Sequence, residues 1–364
     1  MPAESDIASF FKADNQRLLA RSIKATHGGF DENGFLEAVL PKVGKLELKA
    51  RMRHTSIILA RFIPTDYEEA IAYLRPVAPN LATKFVGMVF TDFIEAFGEK
   101  HFETSMEAME YFTKFGSAEF AVRVFLDQDF EAAMVYVNRW AKDDNTHVRR
   151  LATEGTRPRL PWSFQLKNLV ADPTPAFDML TTLSKDPELY VRKSVGNHLN
   201  DIAKDNVDLM FDLIEGWDHD NKHTKWIITR GLRSLVKKGH PKALAFHGFQ
   251  ENPQIDVNPL TLSSTAIQLG DKLEFEFTLK STSRHDQKLA IDTIVHFLKK
   301  SGKQAEKVFK FRVLDLKAGE TLTLKGKQPF KLITTRKLYS GEHGIQVMIN
   351  GTRYDVADFD LVID

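Results

Sequence analysis

From about Leu36 to Phe249, apolar residues recur at three- and four-residue intervals, in runs of about 10 to 17 residues separated by short polar breaks. This spacing predicts successive amphipathic helices joined by short turns. After about Asn252 the period falls to two: Leu273-Glu-Phe-Glu-Phe-Thr-Leu-Lys280 and Phe309-Lys-Phe-Arg-Val-Leu-Asp-Leu316 alternate, as strands with one buried face do. Turn residues at Leu269–Lys272, Ser301–Lys303, Lys317–Glu320, Ser340–Glu342 and Asn350–Thr352 divide this region into about seven strands, the count of an immunoglobulin-like sandwich. Asn350-Gly351, between Ile345–Ile349 and Tyr354, predicts a two-residue hairpin. The segment Glu251–Pro259 carries two prolines and reads as a semi-rigid boundary. The expected organisation is multidomain: an all-α helical solenoid over 1–250, a linker over 251–257 and an all-β immunoglobulin-like sandwich over 258–364.

Three helical segments share an opening. Ser117-Ala-Glu-Phe-Ala-Val-Arg123, Asp144-Asn-Thr-His-Val-Arg-Arg150 and Asp186-Pro-Glu-Leu-Tyr-Val-Arg-Lys193 each begin polar and reach Val-Arg within a few residues. Asp144 and Asp186 are the expected caps, and Pro187 falls at the favoured first helical position. The Val-Arg pairs are irregularly spaced, yet the pattern resembles HEAT-type repeats, in which stacked helix pairs turn a row of second helices toward a concave face. Side chains four apart on such helices share that face: Glu119 with Arg123, Arg150 with Glu154, Asn197 with Asp201. Trp226, Arg230 and Arg233 continue it. For any one of these pairs, a simple intrahelical ion pair is the plainer account.

Charge is balanced overall and uneven locally. Fifty Lys and Arg stand against 49 Asp and Glu, a net +1, which argues against a uniformly basic nucleic-acid binder. From Trp217 to Lys242, however, seven cationic residues face two aspartates, and from 145 to 162 four arginines face Glu154 alone. There are no cysteines, so disulfides, thiolate metal sites and cysteine nucleophiles are excluded. The start lacks a secretory pattern and no run has the length of a membrane span, which leaves the cytoplasm, close to the nucleoid, as the expected location.

The segment Val148-Arg-Arg-Leu-Ala-Thr-Glu-Gly-Thr-Arg-Pro-Arg-Leu-Pro-Trp162 is the richest in candidate chemistry. Gly155 ends a helix, and Pro158 and Pro161 keep it from resuming, so Arg157, Arg159 and Trp162 ride a stiff connection. Guanidinium groups suit phosphates, and an indole suits a sugar or base face. Arg149, Arg157, Arg159, Arg192, Arg230 and Arg233 are the candidate phosphate contacts, fixing a duplex without reading its sequence.

Together with Leu48-Lys-Ala-Arg-Met-Arg-His-Thr-Ser-Ile-Ile-Leu-Ala60 and the HEAT-like helices, Arg150–Trp162 resembles the AlkC branch of the alkylpurine DNA glycosylases over roughly residues 35 to 250. One subgroup of that branch is similar in carrying an immunoglobulin-like domain after the repeats. The resemblance implies excision of cationic N3-alkylated bases, chiefly 3-methyladenine and 3-methylcytosine, from a bent duplex without flipping the lesion into a closed pocket. It points to Glu119, Glu154 and Asp201 as catalytic carboxylates, to Trp162 as the indole on the deoxyribose, and to Arg150 at a phosphate near the lesion. Which carboxylate aligns the water stays open. An N3-alkylated base already carries positive charge, so a strong general acid is unnecessary; carboxylates that stabilise a cationic sugar and place a water suffice. Lys299, Lys300, Lys303, Lys325 and Lys327 give the sandwich a basic face that suits the opposite side of the duplex.

The partner expected is alkylated double-stranded DNA, met by a monomer with no membrane attachment. No cofactor is expected, because no Walker loop, dinucleotide fingerprint or nucleophile elbow occurs. No metal is expected either: His219 and His223, beside Asp218 and Asp220, read as a polar turn ahead of a helix. The competing readings are a non-catalytic HEAT scaffold for acidic peptides and a DNA-structure binder without catalysis. Carboxylates inside a cationic cradle favour the enzyme, since a scaffold gains nothing from negative charge beside phosphates.

Overall fold

The computed structural model describes residues 11–82, 85–332 and 336–363. Its helices are α1 (Ala13–Thr26), α2 (Glu32–Val43), α3 (Leu48–Leu59), α4 (Tyr67–Leu74), α5 (Met88–Phe97), α6 (Phe102–Phe112), α7 (Ala121–Gln128), α8 (Phe130–Trp140), α9 (Thr146–Gly155), α10 (Lys167–Ala171), α11 (Phe177–Thr182), α12 (Leu189–Ile202), α13 (Val207–Glu215), α14 (Lys222–Gly231), α15 (Arg233–Lys237) and α16 (Pro241–Phe246). The strands are β1 (Ile255–Val257), β2 (Thr261–Leu262), β3 (Ala266–Gln268), β4 (Lys272–Ser281), β5 (Gln287–Leu298), β6 (Gln304–Leu316), β7 (Thr321–Pro329), β8 (Gly341–Ile349) and β9 (Thr352–Val362). The order is helices then strands, as the change of period requires.

Contacts divide the chain into two compact units, Met1–Gly231 and Leu232–Asp364. In the first, α3 packs on α5, α5 on α7, α9 on α12, and α12 on α14, while the intervening helices cover them from outside. Leu59, Phe90, Phe125, Leu151, Leu199 and Ile228 are fully buried between these layers. Gly155 lets α9 close on α7, for a Cβ there would sit 2.4 Å from Val122 Cγ1.

The caps differ in detail from expectation. Asn145, not Asp144, caps α9 by accepting from the His147 amide at 2.9 Å. Asp186 accepts from the Glu188 amide, but α12 starts only at Leu189, so Pro187 precedes the helix. Ser117 gives its hydroxyl to Glu119 in place of capping α7.

In the second unit, β1, β4, β2 and β7 form one sheet and β3-β9-β8-β5-β6 the other. The described strands number nine, against about seven in the sequence reading, because β1, β2 and β3 are two- or three-residue pieces too short to show a period. Leu273, Phe275, Phe277 and Leu279 of β4 face Leu289, Ile291, Val295, Ile345 and Val347 across the sandwich core. Asn350 and Gly351 both take positive φ, 46° and 84°, as a type I′ hairpin needs. The short helices α15 and α16 belong to this unit, where Val236, Leu244 and Phe249 pack on Ala290 of β5. Within the sandwich Lys325 pairs with Glu276 and Lys327 with Glu274, so two of the five lysines read as a basic face are already matched across β4 and β7.

Candidate active site

The three carboxylates singled out in the sequence come from different elements of the first unit and are joined by two arginines. Glu119, just before α7, accepts from Arg150 Nη1 on α9. Arg150 Nη2 lies 3.5 Å from Glu154 Oε1, and Arg157 Nη1 donates to the same oxygen at 2.7 Å. Arg157 Nε then donates to Asp201 Oδ2 on α12 at 2.8 Å, and Lys204 reaches the other Asp201 oxygen at 2.8 Å. The result is one chain of alternating charge running across α7, α9 and α12. Three acidic side chains meet three basic ones, so the charges balance over the cluster as a whole.

Burial grades along the chain. Side-chain exposure falls from 16% at Glu119 through 8% at Glu154 to 2% at Asp201, which makes Glu119 the carboxylate most open to solvent. Burial pushes the Glu154 pKa up, but Arg150 and Arg157 outweigh it, helped by the Ser194 hydroxyl on Oε2, and the pKa is held below the ordinary glutamate range. Arg150 is treated likewise: burial alone opposes its charge, and Glu119 and Glu154 restore it with a surplus.

Beside Glu154, His198 on α12 bonds the Thr153 carbonyl through Nδ1 at 3.0 Å. Burial holds its pKa down at about 4, so the ring is neutral at pH 7 and Nδ1 is the donor. Ser194 and His198, one turn apart, thus fasten α12 to the turn of α9 that carries Glu154.

Trp162 stands on the connection that leaves α9. Its φ is 63°, in the left-handed region that a bulky residue adopts only under constraint, and its side chain is 59% exposed. Two cations hold this backbone. Lys49 of α3 donates to the Trp162 carbonyl at 3.0 Å and lies over the Phe120 ring. Arg123 of α7 is fully buried and donates to the carbonyls of Gly155 at 2.9 Å, Arg157 at 2.7 Å and Phe164. A cleft of about 290 Å³, lined by Phe85, Met88, Phe115, His147 and Tyr190, opens at Arg150 and Ser117. The Arg150 guanidinium lies 5.1 Å from the Tyr190 ring centroid.

The other arginines are placed differently from one another. Arg157 is buried in the ion chain, and its Nε and Nη1 are committed to Asp201 and Glu154. Arg149 is held by Asp186 at 2.6 Å, and Arg159 makes a two-pronged pair with Asp205 at 2.7 Å each. Arg192 and Arg230 flank the Trp226 ring, each 5.8 Å from its centroid, with Arg192 Nη1 on the Asp186 carbonyl and Arg230 Nε near Asn197 Oδ1. Arg233 opens α15 in the second unit. Glu119 pairs with Arg150 and Asp201 with Arg157, while Arg123, four residues on from Glu119, serves backbone carbonyls. His219 bonds the Ile214 carbonyl at 2.8 Å.

Known proteins are similar to this chain in sequence and in fold. The model of the DNA alkylation repair enzyme family matches residues 97–235, and that of the C-terminal Ig-like domain of the uncharacterised protein YhaZ matches 256–363. The uncharacterised protein YhaZ of Bacillus subtilis is 38% identical, with 98% of this chain and 99% of that protein aligned. A solved structure of the Pseudomonas fluorescens alkylpurine DNA glycosylase AlkC, bound to DNA containing an abasic site analog, superposes with a TM-score of 0.93 at 40% identity, over 99% of this chain and 100% of that one. The chain belongs to the AlkC-type DNA glycosylases. As a member it is an enzyme, with the repair domain and the Ig-like domain of that family in the same order. Among the described residues no helix is long and apolar enough to cross a membrane.

Within an AlkC-type frame the ion chain acquires a chemical meaning. Glu154 is held charged, the guanidinium groups cannot give up protons near neutrality, and His198 is neutral and sealed. The ionised Glu154 and the neutral His198 at its side thus leave no evident proton donor at the middle of the chain.

Proposed function

We propose that this AlkC-type enzyme hydrolyses the N-glycosidic bond of bases that already carry a positive charge, 3-methyladenine and 3-methylcytosine, in duplex DNA. The observation that carries this reading is the Glu119–Arg150–Glu154–Arg157–Asp201 chain, where every carboxylate is ion-paired and Glu154 at its centre is held charged by Arg150 and Arg157, with no proton to give a neutral base. A cationic base needs no such proton. What its departure requires is stabilisation of the positive charge that grows on deoxyribose, and an ionised cluster in a partly dry site supplies that.

In this reading Trp162 packs its exposed indole on the sugar and excludes water from the far face. Arg150 takes a phosphate next to the lesion. A phosphate that draws one Arg150 N–H away from Glu119 leaves that carboxylate less compensated, so DNA binding itself raises the negative potential where the sugar becomes cationic. Glu119, the most solvent-open of the three, is the carboxylate placed to align the attacking water; Glu154 and Asp201, buried and saturated with donors, act through charge. Arg149, Arg159, Arg192, Arg230 and Arg233 remain candidates for phosphates, and Arg157 is assigned to the interior of the cluster. The lesion stays within a bent duplex, since a sugar-directed site does not require a pocket for the base. The enzyme works as a monomer on chromosomal DNA in the cytoplasm.

The test is incubation of the purified protein with N-methylated duplex DNA and chromatography of the released bases. Free 3-methyladenine and 3-methylcytosine are expected, reduced on the order of 10²-fold in Glu154→Gln and Trp162→Ala. Their absence with the parent protein defeats the proposal.

A further inference from the structure

Arg123 is an arginine with no accessible surface, and it donates hydrogen bonds to backbone carbonyls instead of to a carboxylate. Burial lowers its pKa to about 10, with the charge of Arg157 acting in the same sense, so it still carries a full charge at pH 7. A buried cation of this kind is costly to keep, which makes the identity of its partners informative. Those partners are the Gly155, Arg157 and Phe164 carbonyls, one at the end of α9 and two on either side of Trp162. The guanidinium also lies 5.4 Å from the centroid of the Phe164 ring. Between these anchor points the chain bends back, with the Leu166 amide on the Pro158 carbonyl, and Trp162 adopts its left-handed backbone.

We propose that Arg123 is a positioning residue for base excision: by gripping both limbs of the 155–164 connection, its fork sets where the Trp162 indole stands. It touches neither sugar nor base. Its influence passes through the connection that delivers the indole to the deoxyribose. A lysine has the charge but is a point donor, so it cannot span three carbonyls held by a planar fork. Displacement of a reacting group by about 1 Å is enough to cost on the order of 10²-fold in rate.

The proposal rests on Trp162 acting at the sugar, and a double-mutant cycle separates the two. Single-turnover excision of 3-methyladenine is measured for Arg123→Lys, Trp162→Ala and the double variant, with affinity for abasic-site duplex measured alongside. Arg123→Lys is expected to lower the rate about 10- to 100-fold, to leave abasic-site affinity within about 3-fold, and to add nothing in the Trp162→Ala background. Amide exchange over 158–166 is expected to quicken while that of α12 holds. If Arg123→Lys does not fold, Phe164→Leu loosens the same grip from its exposed side. It is then expected to slow excision several-fold, again with no further effect in the Trp162→Ala background. Wild-type rates in Arg123→Lys or Phe164→Leu, or losses that multiply with Trp162→Ala, overturn the proposal. Wild-type excision by Trp162→Ala alone removes the sugar-packing role of Trp162, and amide exchange over 158–166 still reports separately whether Arg123 grips the connection.

Discussion

Replacing Arg157 by methionine removes the central cation of the ion chain at nearly constant volume. The side chain is 9% exposed, and it is the nearest counter-charge of Glu154 at 2.7 Å and one of two cations 2.8 Å from Asp201. Arg150 stays 3.5 Å from Glu154 and Lys204 stays on Asp201, so each carboxylate keeps one weaker or more exposed cation. Breaking a buried pair from one side costs about 3–5 kcal/mol, because the remaining charge is left without compensation. For a folding unit of this size that corresponds to a fall in Tm of roughly 6–20 °C. The pH dependence follows from Glu154, whose pKa lies below the ordinary range. Its stabilising contribution is full above the unfolded pKa of about 4.3 and is lost as pH falls through the lower folded value. Without Arg157 the folded value rises, so the acid limb of the stability profile moves to higher pH. Thermal unfolding of Arg157→Met and the parent protein from pH 3.5 to 8 reads both effects. A Tm within 2 °C of the parent, together with an unmoved acid limb, refutes the role of Arg157 as an internal countercharge. Salt titration of DNA binding supplies the complement: an arginine on a phosphate contributes about 0.9 to the slope of log K against log salt, and Arg157→Met should leave that slope unchanged.

Arg192→Ala and Arg230→Ala, which remove the two guanidinium groups beside Trp226, should each lower the salt slope by about 0.9 and weaken binding to all sequences alike; unchanged slopes in binding isotherms at several salt concentrations count against phosphate contact. Excision of 3-methyladenine should be flat from pH 6 to 9 and fall only as acid protonates Glu154 below the usual carboxylate range, because the leaving base brings its own charge; a rate that climbs toward acid between pH 8 and 6 in stopped-time assays would reveal a general acid. Gly155→Ala should destabilise the protein by about 1–3 kcal/mol in chemical unfolding, since the new methyl meets Val122 Cγ1 at 2.4 Å; full stability would mean that α7 and α9 are less tightly joined than described.

The order of helices and strands was legible from period alone, and the Asn350-Gly351 hairpin from turn chemistry, because both signals are local. The three carboxylates and Trp162 were found through the resemblance of the Arg150–Trp162 segment to a family. Of their partners only Arg150 beside Glu154, four residues apart on one helix, was legible. Spacing by four exposes only neighbours on one helix, and it suggested Glu119 with Arg123 and Asn197 with Asp201. The pairs that form join residues 31 and 44 positions apart across packed helices, Arg150 with Glu119 and Arg157 with Asp201. Lys49 reaches the Trp162 carbonyl from 113 positions away, and no pattern in its own helix marks it. Arg157 and Arg159 look alike in sequence beside Pro158, yet one is buried and the other is a surface partner of Asp205; the difference lies in how the chain turns after α9.

The central claim is that the site acts on the sugar of a base that is already cationic. One competition measurement addresses it: duplexes carrying 3-methyladenine or 3-methylcytosine are compared with duplexes carrying the neutral bases hypoxanthine or uracil, at saturating enzyme, with released base quantified by chromatography. The account expects release of the two methylated bases and none of the neutral ones. Neutral bases released at comparable rates, or methylated bases left in place, would contradict it.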